Sequence, residues 1–444
     1  MRQIHSCRFF ILFSRIKLEI LLMRFILSSK HIYQIYRRKH IMPYLPEGLP
    51  QPNYDEAKVP TFVLPCPLTK ADKTQITSAD EWEKFQRGYI LRLLEEHMYG
   101  TIPPAPAEMH IDVISEKEVY EGIGTRKHIR LVFKDKYAEN IPFDILAYAP
   151  KVKNAPCVTG LNFGGNHSIE SDEDIPMPDY EIPDDEPKAR GSQNHRWVPQ
   201  YLLERGFGLV TGCYNQLFCD KTDGTAGSIY RLFYPAETLK KAVPGEYTSI
   251  SAWSWGLMRI CDYIASCGDY DTTKIIATGH SRLGKTALWA GANDQRFSVI
   301  ISNNSGCGGA ALTKREFGET LEIMNGIFPH WLTPQAKLDG KVPQQIAYDQ
   351  NFLLSLAAPR ALAVASASED AWADPKGEYL GLVGTNSVYA LYGIPQIPSE
   401  PVPQGNESFD DKVRHYHCRI GKHDILIYDW EKYLDFAERC WEHA

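Results

Sequence analysis

Hydrophobic positions along this chain change their rhythm near residue 156. Beyond it, short apolar runs at 158–163, 207–213, 274–278, 297–302 and 360–366 are separated by stretches of helical spacing, most clearly 249–266 and 284–292. Unbroken apolar runs suit strands buried on both faces, and their alternation with helices predicts a mostly parallel sheet covered on both sides. Before residue 156, polar and apolar residues alternate at 109–116, 127–134 and 143–149, which predicts successive antiparallel strands at the start of the sheet. Helical spacing over 81–98 puts Trp82, Phe85, Tyr89, Leu91, Leu93 and Leu94 on an apolar face, and Tyr99-Gly100 followed by Pro103-Pro104 stops it. The chain closes with an alternating stretch at 413–418 and a helix over 429–442, with Trp430, Tyr433, Phe436, Ala437 and Cys440 on one side. These patterns predict a three-layer α/β sandwich over 79–444 as a single domain. Residues 42–78 are rich in proline and read as an extended arm.

Charge divides the chain differently. Nine Lys/Arg against the lone Glu19 make residues 1–41 a basic extension of charge +8, leaving −15 on residues 42–444 of a chain that totals −7. An acidic body repels polyphosphate, which argues against a nucleic-acid partner. In 1–41, Arg15, Lys17, Glu19 and Arg24 interrupt every apolar patch. The roughly 18–20 uncharged residues of a membrane span are absent, and so is a clean signal peptide. The abrupt change at Met42 suggests that translation starts there, a basic membrane-surface helix being the alternative. Ten cysteines at scattered spacings form no CxxC pair, which leans towards a reducing, cytoplasmic compartment and supplies no zinc site.

The chemistry begins at the apolar run 274–278. Gly279-His-Ser-Arg-Leu-Gly-Lys285 follows it, and a helix-forming stretch comes next. Strand, tight turn with a central serine, then helix is the nucleophile-elbow arrangement of the α/β-hydrolase fold. It would lift the Ser281 hydroxyl above the strand ends and aim the Arg282 N–H at a developing oxyanion. The usual GxSxG pattern is not kept, since Leu283 stands at the second glycine position and the glycine falls at Gly284. The plainer alternative makes Ser281 the N-cap of a helix.

A serine nucleophile needs a base held by a carboxylate, in the chain order Ser, Asp/Glu, His for this fold. The acid belongs after the strand at 360–366, which leaves Glu369 and Asp370. His423 lies in a Gly-flanked loop before the last helix, where the fold delivers its base. His280 adjoins Ser281 but projects away from it, and His415 with His417 lacks the further ligands a metal pair would need. Phe163-Gly-Gly-Asn-His167 follows an early strand and is a candidate for a second oxyanion N–H.

At Gly279–Lys285 the chain resembles the glucuronoyl esterases, carbohydrate esterase family 15, and its bacterial branch in particular. The resemblance continues through Ile301-Ser-Asn-Asn-Ser-Gly-Cys-Gly-Gly309, Phe317-Gly-Glu-Thr320 and Phe328-Pro-His-Trp331. It extends to Glu369-Asp-Ala-Trp-Ala-Asp-Pro375 and Gly421-Lys-His-Asp424, and covers roughly residues 80–440. It implies Ser281, Asp370 and His423 as the triad, with Arg282 strengthening the oxyanion hole. It further implies that Lys285, Glu319 and Trp372 contact a uronic sugar. Many members place the acid where this chain has Asn304, so the triad here would depend on Asp370. A glutamine of other members corresponds to Ile327.

The implied reaction is hydrolysis of esters of (4-O-methyl-)glucuronic acid, as in lignin–xylan cross-links, by a monomer that uses no cofactor or metal. An acetyl-sugar or other small-ester esterase is one rival. A catalytically dead hydrolase fold used for binding is the other.

Overall fold

The computed structural model describes residues 45–184 and 186–442. The basic extension and the proposed start at Met42 lie outside the described residues.

Ten strands form one sheet: β1 (Glu108–Val119), β2 (Gly124–Asp135), β3 (Ala138–Pro150), β4 (Ala155–Asn162), β5 (Gly208–Cys213), β6 (Tyr270–His280), β7 (Phe297–Asn303), β8 (Ala361–Ala367), β9 (Ser408–Asp410) and β10 (Arg414–Arg419). Their order is β1-β2-β3-β5-β4-β6-β7-β8-β10-β9. The first three strands and the β3–β5 pair are antiparallel, as the alternating patterns predict. From β5 through β4, β6, β7 and β8 to β10 every pair is parallel, and β9 returns antiparallel at the far edge. Burial follows the sequence grammar. β5 and β8 are buried at every position, whereas edge strand β1 is largely exposed.

The helices that matter for the site are α1 (Ser249–Cys267), α2 (Arg282–Asn293), α3 (Leu321–Ile327), α4 (Pro375–Val383) and α5 (Ile427–Glu442). α1 is buried around most of its circumference, so its polar groups need internal partners. They have them. Thr248 caps its start by accepting from Ser251 N–H, Trp253 Nε1 donates to Phe218 O at 3.0 Å, and Ser254 Oγ donates to Thr286 O on α2 at 3.0 Å. Trp289 of α2 donates to Ser251 Oγ at 3.0 Å while Tyr99 stacks on its ring at 4.8 Å. α2 is thereby wedged between the sheet and α1, which fixes the direction of the turn that feeds it.

One predicted element differs in detail. The helix expected over 81–98 contains two π turns, Trp82–Gln86 and Glu95–Tyr99, flanking Arg87–Leu94. Each π turn widens the spacing, so the buried positions become Trp82, Gln86, Ile90, Leu94 and Met98, and Phe85 turns outward with 54% exposure. A strict 3.6-residue period had put Phe85 on the apolar face. No helix among the described residues is long and apolar enough to cross a membrane.

Candidate active site

β6 runs straight into the elbow. Ser281 has φ 58° and ψ −129°, and α2 starts at the next residue. The turn is so tight that a Cβ on Gly279 would stand 1.9 Å from Leu283 O. Leu283 tolerates a side chain because it points into the core, 1% exposed. The second glycine is needed one place later: a Cβ on Gly284 would meet Gly279 O and Ser305 Cβ, each at 3.0 Å. That is the physical reason for the shifted motif. The helix-cap alternative for Ser281 does not fit, since its side chain makes no capping hydrogen bond. The Ser281 N–H instead donates to Asn303 O at 2.9 Å. Strain of this kind in a non-glycine residue persists only where its surroundings enforce it, and here they do.

Asp370 follows β8 and is 5% exposed. Its Oδ2 receives His423 Nδ1 at 2.6 Å and Asn304 Nδ2 at 2.8 Å. Burial acts to raise the Asp370 pKa, but the His423 ring and the Asn304 amide outweigh it and hold the carboxyl below its ordinary value. Glu369, the alternative acid, is exposed. Asn304 thus stands beside Asp370 and donates to it. With Nδ1 engaged, His423 has Nε2 left to exchange a proton.

The His423 ring lies 4.4 Å, centroid to centroid, from that of His280, whose chain neighbour is Ser281. His423 and the elbow therefore share one place. His280 is itself buried and bonded through Nδ1 to Asn303 Oδ1 at 2.6 Å. Burial, then the neighbouring His423, push its pKa well below the ordinary histidine value, so it stays neutral. The loop that carries His423 is held by Arg419, whose guanidinium donates to Ile420 O, Lys422 O and Asp424 O and to the buried Asp429. His415 and His417 bond to each other at 2.8 Å, and their outer nitrogens go to Asp410 and Asp429. Every ring nitrogen of that pair is engaged within the protein.

Arg282 leads to a residue that sequence reasoning missed. Its guanidinium donates to Asp220 Oδ2 at 2.5 Å and lies 5.0 Å from the Trp331 ring centre and 5.7 Å from those of Phe163 and Phe328. Asp220 also accepts from His330 Nε2 at 2.7 Å and Trp331 Nε1 at 2.6 Å. The Phe328-Pro-His-Trp331 motif is in effect the cradle of this ion pair. Burial opposes ionisation of Asp220, but Arg282 and then His330 bring its pKa down to about 2. Phe163 ties the glycine loop to the same cluster. Gly164 has no room for a side chain, since a Cβ would stand 2.2 Å from Pro187 O.

One helical turn beyond Arg282, Lys285 is 3% exposed and its Nζ lies 5.7 Å from the same Trp331 ring centre. Its Nζ donates to Ser305 O at 2.6 Å and lies 3.8 Å from Glu319 Oε2. Glu319 is buried as well, and its pKa is raised by that burial against the pull of Lys285. Its N–H donates to Trp372 O at 2.9 Å, and the Trp372 side chain is half-buried. Ile327 is half-buried at the end of α3.

The Asp220 cluster makes a pH prediction. Its carboxylate is stabilised by folding, so that contribution is complete above the unfolded value of 3.8 and is lost as pH falls through about 2. Asp220→Asn takes from the half-buried Arg282 its close carboxylate, leaving Glu186 at 3.7 Å, and is expected to cost about 1.5–3 kcal/mol at neutral pH. Urea unfolding from pH 7 to 2 checks both points. The variant starts lower and loses less stability than wild type between pH 4 and 2.

Comparison with known proteins agrees with this geometry. A family model described as glucuronyl esterase of fungi matches residues 209–393. Carbohydrate esterase MZ0003, from an unknown prokaryotic organism, is 36% identical over 406 residues, covering 87% of this chain and 91% of that protein. Among solved structures, a glucuronoyl esterase from Solibacter usitatus is 38% identical with a TM-score of 0.80, covering 87% of this chain and 100% of that one. A structure described as a promiscuous CE15 esterase from the marine bacterial metagenome is 34% identical, also with a TM-score of 0.80, covering 88% of this chain and 100% of that one. The chain belongs to carbohydrate esterase family 15, the glucuronoyl esterases, and is a carboxylic ester hydrolase of the α/β-hydrolase fold.

Proposed function

We propose that the enzyme hydrolyses esters of (4-O-methyl-)glucuronic acid through an acyl-enzyme on Ser281. His423 Nε2 takes the Ser281 proton as the hydroxyl attacks the ester carbonyl, and Asp370 stabilises the imidazolium through Nδ1–H. The Arg282 N–H, at the positive end of α2, receives the negative charge that develops on the carbonyl oxygen. The protonated His423 then gives its proton to the leaving alcohol. Water, activated by the same imidazole, releases the uronic acid.

The observation that carries the choice of substrate is the buried Lys285–Glu319 pair beside the elbow. Ester cleavage alone does not call for two buried charges here, and burying them is costly without a ligand to use them. A uronic sugar offers hydroxyls to both, with the half-buried Trp372 at the same loop. The marine relative, described as promiscuous, favours a second reading, in which small acyl esters are also cut. A complete Ser281, His423 and Asp370 set weighs against a dead hydrolase fold.

Two variants test the triad. Asp370→Asn is expected to lower kcat by several orders of magnitude, on the order of 10⁴-fold as for other triad acids. Asn304→Ala removes one neutral donor to that acid and costs about tenfold. Near-normal turnover by Asp370→Asn contradicts the assignment.

Substrate class is tested with methyl glucuronate, acetylated xylan and an aryl acetate. The first is the preferred ester. Lys285→Ala is expected to lower kcat/KM on methyl glucuronate by roughly 10- to 150-fold, the worth of a charged hydrogen bond, and to spare the aryl acetate. An equal loss on both assigns Lys285 to support of the elbow through Ser305, and the sugar reading fails.

A further inference from the structure

His415 and His417 take no part in the proposed reaction, yet both are fully buried. They stand two apart on β10 and so share one face of the sheet, the face that α5 covers. The His415 ring lies 5.4 Å from Phe436, and the His417 ring lies 5.4 Å from Tyr433 and 5.7 Å from Tyr428. Four side chains make one unbroken row here. Asp410 Oδ1, on edge strand β9, is 2.7 Å from His415 Nδ1. His415 Nε2 is 2.8 Å from His417 Nδ1, and His417 Nε2 is 2.8 Å from Asp429 Oδ1.

Proton counting fixes the charge of this row. An ionised carboxylate only accepts, so His415 Nδ1 and His417 Nε2 each carry a hydrogen. The middle contact needs one more, on either nitrogen. Two neutral imidazoles supply two hydrogens, and three are required. The two rings therefore hold one positive charge between them. Cations keep both carboxylates ionised: Arg439 pairs with Asp410, and Arg419 Nε with Asp429 at 3.0 Å. Burial acts to raise the Asp410 pKa, but the His415 contact, then Arg439 and Lys432, bring it below its ordinary value. On His417 burial prevails over Asp429 and lowers the pKa to about 4, which leaves the charge on His415. Tyr428 and Tyr433 of α5 also face the row, and burial raises both phenols.

The inner end of the row reaches the base. Asp429 Oδ2 accepts Arg419 Nε and the Leu426 N–H, the latter at 2.8 Å. Arg419 in turn donates to Lys422 O and Asp424 O, each at 2.9 Å, and these residues flank His423. The outer end, Asp410, is 36% exposed, so the row connects solvent to the support of the base.

We propose that His415 and His417 are positioning residues for the base, their shared proton locking Asp429, Arg419 and the His423 loop in one arrangement. The inference rests on the assignment of His423 as base. When the proton leaves, two lone pairs face each other across 2.8 Å and the row has to open. Neither ring touches substrate, so the effect is the same on every ester.

Hydrolysis of methyl glucuronate and of an aryl acetate by the full chain, followed from about pH 5 to about pH 10, tests this. Wild-type kcat is expected to fall at the alkaline end on both esters. His415→Gln sets a neutral amide donor against His417 Nδ1 and does not titrate. It is expected to keep kcat within about threefold at neutral pH and to abolish the alkaline fall. His415→Leu leaves His417 without that donor and is expected to lose about tenfold in kcat on both esters. Nitrogen NMR of the histidine rings in wild type is expected to show one imidazolium for the pair at neutral pH; should His415→Leu not fold, these spectra and the Gln variant decide. Two neutral rings, no alkaline fall in wild type, a fall that survives His415→Gln, or a His415→Leu loss confined to one ester overturns the proposal. His423→Ala keeps the two readings apart. If it abolishes turnover while both His415 variants behave as wild type, the positioning role alone fails. If it leaves turnover intact, the assignment of the base fails and this inference with it.

Discussion

Everything in the site hangs on the closeness of Gly279 to Leu283. With no side chain at Gly279, β6 turns into α2 within the width of one residue, and Ser281 is forced to positive φ at the crest. Once that turn is set, the neighbours have little freedom. His280 lies against the His423 ring, Arg282 opens the helix, and Lys285, one turn further on, shares its face, so that the two cations stand 5.0 and 5.7 Å from the Trp331 ring centre. The contact of Gly284 with Gly279 O and Ser305 Cβ joins the elbow to the loop whose carbonyl holds the Lys285 ammonium. The tight turn thus positions the proposed nucleophile and the proposed sugar contact through one short segment.

The carboxylates that face these two cations are held unequally. Asp220 faces Arg282 at 2.5 Å and takes two further ring N–H groups, so its ionised form is held firmly despite burial. This pair is satisfied within the protein and braces the aromatic wall. Glu319 faces its cation at 3.8 Å, and burial prevails over attraction in its pKa. Its charge is less fully compensated by the protein. A ligand hydroxyl therefore has more to offer Glu319 than Asp220, which fits the first as a binding group and the second as a structural one.

Much of this was legible in the chain because it is local. Strand runs, the elbow and the loop of His423 each lie within a short segment whose spacing states its structure. The choice between Glu369 and Asp370 was not local; adjacent acids look alike in sequence, and burial separates them. Asp220 carried no signal at all. It sits in a polar stretch beside Cys219 and Lys221, and the partners that define the cluster, Arg282, His330 and Trp331, are 62, 110 and 111 residues away. The π turns escaped because a hydrophobic period measured over one helix does not reveal an inserted residue.

The most direct measurement of the central claim is covalent labelling of the full chain with a fluorophosphonate, followed by peptide mass spectrometry. The account predicts stoichiometric modification on the peptide containing Ser281, at a rate that falls with loss of ester hydrolysis in His423→Ala. Full hydrolytic activity surviving complete modification of Ser281, or a label that lands on another residue as activity disappears, would contradict it.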